Sequence, residues 1–353
     1  MTVPRGSFKF LILVLISAFL LSCESVSYYS QAASGQLSIM LARQDIEQLL
    51  EDSSIADPTR EKLSLVLEIR DYAERQMQLP VASNYTTYVD VEREHVVWNV
   101  FAAPEFSTEA LNWCYPIAGC VSYRGYFSER SAQRYAEKIE KQGYDVYTGG
   151  VDAYSTLGWF DDSLLSTVIN RDGYQLAGLI FHELAHQIIY LPGDTTFNES
   201  FATAVEREGI RRWLDARGQT ALISSAELSM QRQEEFVGMV SGWRDRFDQL
   251  YAEEIAATDM RTQKHTLQQE MRAEYQRLKV KWGGYGGYDS WFARSLNNAQ
   301  LSTVSSYNDW VPAFNALLAQ HEGELAAFYT AVADLAELPQ EQRELALDEL
   351  LEP

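Results

Sequence analysis

The chain has 353 residues, of which 46% are hydrophobic and 22% are charged, and its formal net charge is −21 at pH 7. Such an acidic surface repels polyanions, which excludes nucleic acids as partners and disfavours anionic lipid headgroups. The length allows one large domain or two modest ones.

The N-terminal segment has the pattern of a secretory signal. Two basic residues precede an apolar run over residues 10–21, which is too short to span a bilayer comfortably. The run ends in Leu20-Leu21-Ser22-Cys23, which resembles a bacterial lipobox, so we expect residues 1–22 to be a signal peptide and Cys23 to be lipidated. The expected location is the bacterial cell envelope, facing the periplasm, and Glu24 favours the outer membrane over the inner membrane. An ordinary signal peptide or an N-terminal anchor helix is the alternative.

The first elements of the mature chain are predicted to be two helices and two strands. Apolar residues at helical spacing predict helices over residues 36–50 and 57–76. Residues 85–91 and 95–103 are rich in Val, Tyr, Thr and Trp, which predicts two strands joined by a turn at residues 92–94.

More short strands and a helix are expected before residue 174. Residues 121–127 are typical of a strand, and a helix capped by Ser128 should end at Gly143. Two strands follow, over residues 144–148 and 151–154, with a pair of glycines between them. A buried helix then begins near residue 174, so a small sheet precedes it.

The C-terminal half is predicted to be almost entirely helical. Helices are expected over residues 226–256 and 261–281, which form a hairpin, and then over residues 312–325 and 325–335. The order of elements predicts an α+β fold that is mostly helical. We expect residues 23–353 to form one domain, composed of an α+β part (24–217) and a helical part (218–353).

Three cysteines fit an oxidising compartment. If Cys23 is lipidated, Cys114 and Cys120 remain as a pair in a loop that contains Pro and Gly. In the periplasm they would most simply form a short-loop disulfide. Two free thiols, or a second metal site without a nearby His, are the alternatives.

The segment His182-Glu183-Leu184-Ala185-His186 points to metal chemistry. It reads His-Glu-x-x-His within a helical pattern, in a chain with only five histidines. Residues four apart share one helix face, so both imidazoles can reach one metal ion while Glu183 can hold a water molecule as general base. The alternative is two ordinary histidines that flank a Glu by chance.

A third ligand is expected downstream. The helix should run to Leu191, and a turn at residues 192–194 should lead into a second helix with Asn198 as its N-cap. Glu199 would then lie in the first turn and complete a His2Glu zinc site. Glu206 lies seven residues later, about 10 Å along the helix, so both carboxylates cannot bind one zinc ion. We therefore expect Glu206 to support the site from outside or to form an ion pair.

The combined pattern resembles the bacterial predicted-aminopeptidase lipoproteins, a family of gluzincin-type zinc peptidases. The resemblance rests on the zinc motif, on Asn-Glu-x-Phe-Ala at residues 198–202, and on segments spread over nearly the whole mature chain, namely residues 28–32, 114–127, 149–160 and 297–299. It implies a zincin-like core, one Zn²⁺ per chain and a peptide substrate. It implies a peptidase more firmly than an aminopeptidase.

Metal-assisted amide hydrolysis is the mechanism that the resemblance implies. A further group should stabilise the oxyanion, and Tyr307 and Tyr154 are the candidates. An aminopeptidase also needs an acidic anchor for the substrate amine, for which Glu206 or Asp194 could serve. The alternatives are an envelope endopeptidase and a non-catalytic lipoprotein that serves as a binding or assembly module. The oligomeric state is open.

Overall fold

A computed structural model describes residues 26–115, 119–153, 161–304 and 310–351. Its strands are β1 (Gln44–Asp45), β2 (Thr87–Val89), β3 (Val97–Pro104), β4 (Trp113–Tyr115), β5 (Gly119–Val121), β6 (Arg124–Tyr126), β7 (Tyr144–Val151) and β8 (Leu164–Leu165). Its helices are α1 (residues 26–41), α2 (Ile46–Glu51), α3 (Asp57–Arg75), α4 (Glu129–Glu140), α5 (Gly173–Ala185), α6 (Thr195–Ala216), α7 (Thr220–Tyr251), α8 (Ala257–Lys281), α9 (Asp289–Phe292), α10 (Asn298–Leu301), α11 (Val311–Gln320), α12 (Leu325–Glu337) and α13 (Gln340–Glu349). The fold is α+β and 60% helical, which confirms the predicted class. None of the described helices is both long and apolar enough to cross a membrane.

The strands form three small sheets. The first has the order β1-β2-β8, the second is antiparallel with the order β6-β3-β7, and the third is the β4-β5 hairpin. Cys114 and Cys120 face each other in this hairpin and form a disulfide. The disulfide closes a short loop, so it rigidifies the hairpin more than the whole chain.

Both segments predicted as the first two strands contain strands, but these strands do not pair with each other. Residues 92–94 do not join β2 and β3 into a hairpin, because these strands belong to different sheets. Instead, β3 pairs along its whole length with β7, at least forty residues downstream, from Val97 opposite Val151 to Pro104 opposite Tyr144. Long-range pairing therefore overrides the local turn pattern.

Three further element boundaries differ from expectation. The helix predicted over residues 36–50 is split into α1 and α2, because Asp45 is extended and its side chain caps α2 at Gln48 N. The strand predicted over residues 121–127 divides into β5 and β6. Conversely, β7 continues through Gly149 and Gly150 without a break. The His95 ring lies against Gly150, and a Cβ atom at this position would lie 2.0 Å from the ring.

The helices α3 and α4 confirm their predictions closely. Ser128 caps α4 as expected, and Gly143 ends the following turn with a φ of +89°. The largest hydrophobic core packs α3, α5, α6 and the C-terminal helices together. The predicted helical hairpin is formed by α7 and α8, although α7 begins six residues earlier than expected, and it has a separate aromatic core.

Candidate metal centre

The helix α5 presents the motif histidines from its last turn. Gln175 accepts a hydrogen bond from the Asp172 N–H and so helps to begin the helix. The helix ends at Ala185, not at Leu191 as predicted, and His186 is its C-cap. Because His186 keeps helical backbone angles, its ring still stands beside that of His182, with 4.9 Å between ring centroids. The i, i+4 geometry of the motif therefore survives the early end of the helix.

The helix α6 begins earlier than predicted and uses another cap. Asp194 is the N-cap and accepts a hydrogen bond from Phe197 N, whereas Asn198 lies inside the helix. The Asn198 amide instead bonds both the N–H and the carbonyl of Leu191, at 2.8 Å each. This clamp holds the turn between α5 and α6, and it places Glu199 in the second turn of α6 rather than in the first.

The carboxylate of Glu199 lies between the two imidazoles. Glu199 Oε2 is 3.2 Å from His182 Nε2, and Glu199 Oε1 is 3.6 Å from His186 Nε2. Ligands at about 2.1 Å from a tetrahedral zinc ion are separated by about 3.4 Å, so each of these two nitrogen–oxygen distances is close to the spacing between a pair of zinc ligands. Among the described residues, these three are the group of His and acidic side chains arranged to hold a metal ion.

Glu206 contacts the opposite nitrogen of the same histidine. Its Oε2 lies 3.1 Å from His182 Nδ1, so the Nδ1–H can donate to Glu206, and Nε2, which is 3.2 Å from Glu199, would exchange its proton for a bound metal ion. His186 Nδ1 is buried and has no hydrogen-bond partner within the described part of the chain. The donor set of two imidazole nitrogens and one carboxylate oxygen suits Zn²⁺.

Burial and the convergence of charges perturb the site. Burial raises the pKa of Glu183 to about 7. Burial disfavours the charged form of His182, but hydrogen bonds to Glu199 and Glu206 outweigh it and raise its pKa to about 10. Burial, with the charge of His182 beside it, lowers the pKa of His186 to about 4. Glu199 and Glu206, which both contact His182, stabilise positive charge at this point, which favours a bound cation.

The segment around Asn84 braces the end of the motif helix, and sequence reasoning did not identify it. The buried Asn84 side chain donates to Gln187 Oε1 at 3.2 Å and accepts from Asp162 N at 2.8 Å. Tyr85, with a φ of +57°, donates its N–H to the Asp162 carbonyl at 2.7 Å. The negative charge of Asp162 repels that of Glu183, which raises the pKa of Glu183 further, in addition to the effect of burial. No local pattern marks Asn84, because its partners are distant in sequence.

The remaining predicted site residues fall into two groups. Asp194 is engaged structurally, since it caps α6 and pairs with Arg343 at 2.6 Å. Tyr154, Tyr307 and Cys23 lie outside the described residues.

Two helices thus present an imidazole–carboxylate group of the kind that holds a catalytic metal, with a further glutamate beside it. Residues 27–347 match the family described as "Putative aminopeptidase", and the chain belongs to this family. No curated protein and no solved structure matches the chain.

Proposed function

We propose that the protein is a zinc-dependent aminopeptidase of the gluzincin type with a zincin-like core. The observation that carries the proposal is the group formed by His182, His186 and Glu199, with Glu183 adjacent on the same helix. The family description supports hydrolysis of peptides from the amino end. A purely structural metal site would have no use for a partly buried glutamate whose pKa lies near neutrality.

His182, His186 and Glu199 would hold one Zn²⁺ per chain. When bound, such an ion lowers the pKa of a coordinated water toward about 7 and polarises the scissile carbonyl. Glu183 accepts the proton of the attacking water and passes it to the nitrogen of the leaving amine. Burial raises the pKa of Glu183 to about 7 in the metal-free protein, and a bound dication would lower it again, which would keep the carboxylate ionised and able to accept the proton of water. Glu206 holds the ring of His182 in orientation.

We place the enzyme on the periplasmic side of the cell envelope. The lipobox-like sequence ending at Cys23 supports a lipid anchor, and Glu24 favours the outer membrane. Tyr154 and Tyr307 stay the candidates for stabilising the oxyanion.

An endopeptidase is the second candidate, and one observation favours it. The two carboxylates considered as anchors for a substrate amine each already contact a protein cation or a potential cation: Glu206 contacts His182, and Asp194 contacts Arg343. The negative charge of each is therefore already partly compensated, which weakens its attraction for a substrate amine.

The first experiment measures metal and activity together. Elemental mass spectrometry should find about one zinc per chain, lost in the His182→Ala/His186→Ala variant. Peptides with a free amine should be cleaved and acetylated ones spared, and Glu183→Gln should retain zinc but lose at least ~10²-fold in kcat/KM. Cleavage of both peptide types would favour the endopeptidase. A protein that binds no zinc after reconstitution would overturn both proposals.

A further inference from the structure

The outer face of α1 is an exposed apolar stripe, on which Tyr29 is the one member with a ring contact given for it, to Tyr28 and Tyr115. Val26, Tyr29, Leu37 and Leu41 are 66%, 47%, 53% and 78% exposed. They are four of the thirteen large hydrophobic side chains that are exposed in the described part of the chain. At 100° per residue they span about 120° of the helix, so they form one continuous face. Such clustering on one short helix marks a contact surface.

The inner face of α1 fixes this orientation. Gln31 bonds the Gly125 carbonyl and the Phe127 N–H, at 3.3 and 3.1 Å. Gly35 packs so closely on Phe127 that a Cβ atom there would lie 2.1 Å from the ring. Ile39 is buried in a cluster with β2 and β8. Because the helix is held on this side, the apolar stripe cannot rotate inward.

The charge pattern separates α1 from the rest of the molecule. Residues 25–42 contain no charged side chain, although the chain as a whole carries a net charge of −21. The stripe itself therefore adds nothing to the repulsion between the acidic surface and anionic lipid headgroups. Its flanks carry serines rather than Lys or Arg, so contact with lipid would not depend on anionic headgroups.

The start of α1 lies close to the proposed point of lipid attachment. Only Glu24 and Ser25 separate Cys23 from the first residue of the helix. Three residue steps of extended chain span about 10 Å, so an acylated Cys23 would hold the start of α1 within that distance of the headgroups. The helix is too short and too polar to cross the bilayer, so it would lie along the surface.

We propose that the apolar stripe of Val26, Tyr29, Leu37 and Leu41 inserts into the interface of a zwitterionic bilayer. This inference rests on the lipid anchor proposed above and is independent of the peptidase activity. The stripe lies flat in the headgroup region and fixes how the catalytic domain stands on the membrane. The acyl chains supply attachment, whereas α1 supplies orientation.

The test is a depth measurement on the full chain reconstituted into phosphatidylcholine vesicles. Leu37→Cys carries a nitroxide label, and Val280→Cys, at a position that is 78% exposed on α8, is the matched control. The native cysteines do not compete for the label, because Cys114 and Cys120 are disulfide-bonded and Cys23 is acylated under the proposal. The label at residue 37 should collide more with O₂ and at least several-fold less with a water-soluble Ni²⁺ chelate than the label at residue 280. Salt at 0.5 M should leave this difference unchanged.

Three outcomes would overturn the inference, and each points to a different cause. If the chain floats with the vesicles but the label at residue 37 is as accessible to the Ni²⁺ chelate as the control, the anchor stands and the stripe does not touch lipid. Spin–spin broadening at residue 37 that disappears on dilution would assign the stripe to a second copy of the chain. If the chain does not float at all, both the anchor and the inserted stripe are wrong. If Leu37→Cys destabilises the protein, as judged by its unfolding midpoint, a label at Leu41→Cys repeats the test. Peptide hydrolysis, which depends on Glu183, is measured separately.

Discussion

Replacing Glu206 tests how the site holds His182. The carboxylate lies 3.1 Å from His182 Nδ1, and a charged acceptor strengthens such a bond over a neutral amide by about 1.4 kcal/mol. That difference corresponds to about a tenfold change in a binding constant. We therefore expect Glu206→Gln to weaken zinc binding about tenfold. Glu206→Ala removes the acceptor and should approach the roughly hundredfold loss that follows deletion of such a partner.

The measurement is zinc affinity, by competition with a calibrated chelator near neutral pH. Glu208→Gln is the matched control, because Glu208 lies on the same helix but pairs with Arg211 and Arg212. Its zinc affinity should equal that of the wild type. If Glu206→Ala binds zinc as tightly as the wild type, the contact with His182 does not support the site. If Glu206→Gln loses stoichiometric zinc while Glu199→Gln keeps it, the roles of the two carboxylates are reversed.

Three further predictions concern stability, measured as the free energy of unfolding in urea. Gly209→Ala should lower the free energy of unfolding by about 1–3 kcal/mol, because the added methyl group would lie 2.4 Å from the buried Phe181 ring. The control Gly238→Ala, at an open helical position, should raise it by about 0.5–1 kcal/mol. Equal effects of the two substitutions would contradict the packing argument. Asn84→Ala should cost about 1–3 kcal/mol, since the buried N–H of Asp162 loses its acceptor, whereas a loss typical of a surface site would refute the bracing role. Burial disfavours the charged form of Glu208, but hydrogen bonds from two arginines outweigh it and hold its pKa below the ordinary value. The deficit of Glu208→Gln should therefore be present near neutral pH and disappear as the pH falls through that lowered pKa; a deficit constant with pH would exclude this origin.

The part of the site that can be predicted from sequence is the part with local geometry. His182 and His186 share a helix face whatever surrounds them, because four residues make about one turn. Glu199 and Glu206 share a face of α6 for the same reason, since seven residues make about two turns. The structure places each of these side chains where that spacing requires, even though both helices have ends other than those predicted.

The ends of helices and the pairing of strands were harder to predict from the sequence, because contacts between distant residues determine them. Asp194 and Asn198 are both good N-cap residues, and the sequence alone does not rank them. The side chain of Asn198 hydrogen-bonds to the backbone of Leu191, and Asp194 is the residue that caps α6. The strand pairing could not be predicted for the same reason: β3 pairs with β7, and nothing within residues 85–103 indicates this partner.

Two glycines explain why one imidazole can be contacted at both nitrogens. Gly178 on α5 faces Ile210 and Glu206, where a Cβ atom would lie 2.7 Å from Ile210 Cδ1 and 3.1 Å from Glu206 Oε1. Gly209 on α6 accepts the Phe181 ring in the same manner. Larger residues would push the helices apart, and the Glu206 contact at 3.1 Å would be lost first, because Glu206 lies beside Gly178. Close packing of α5 on α6 is therefore a condition for orienting His182, and Gly178→Ala should weaken zinc binding without touching a ligand.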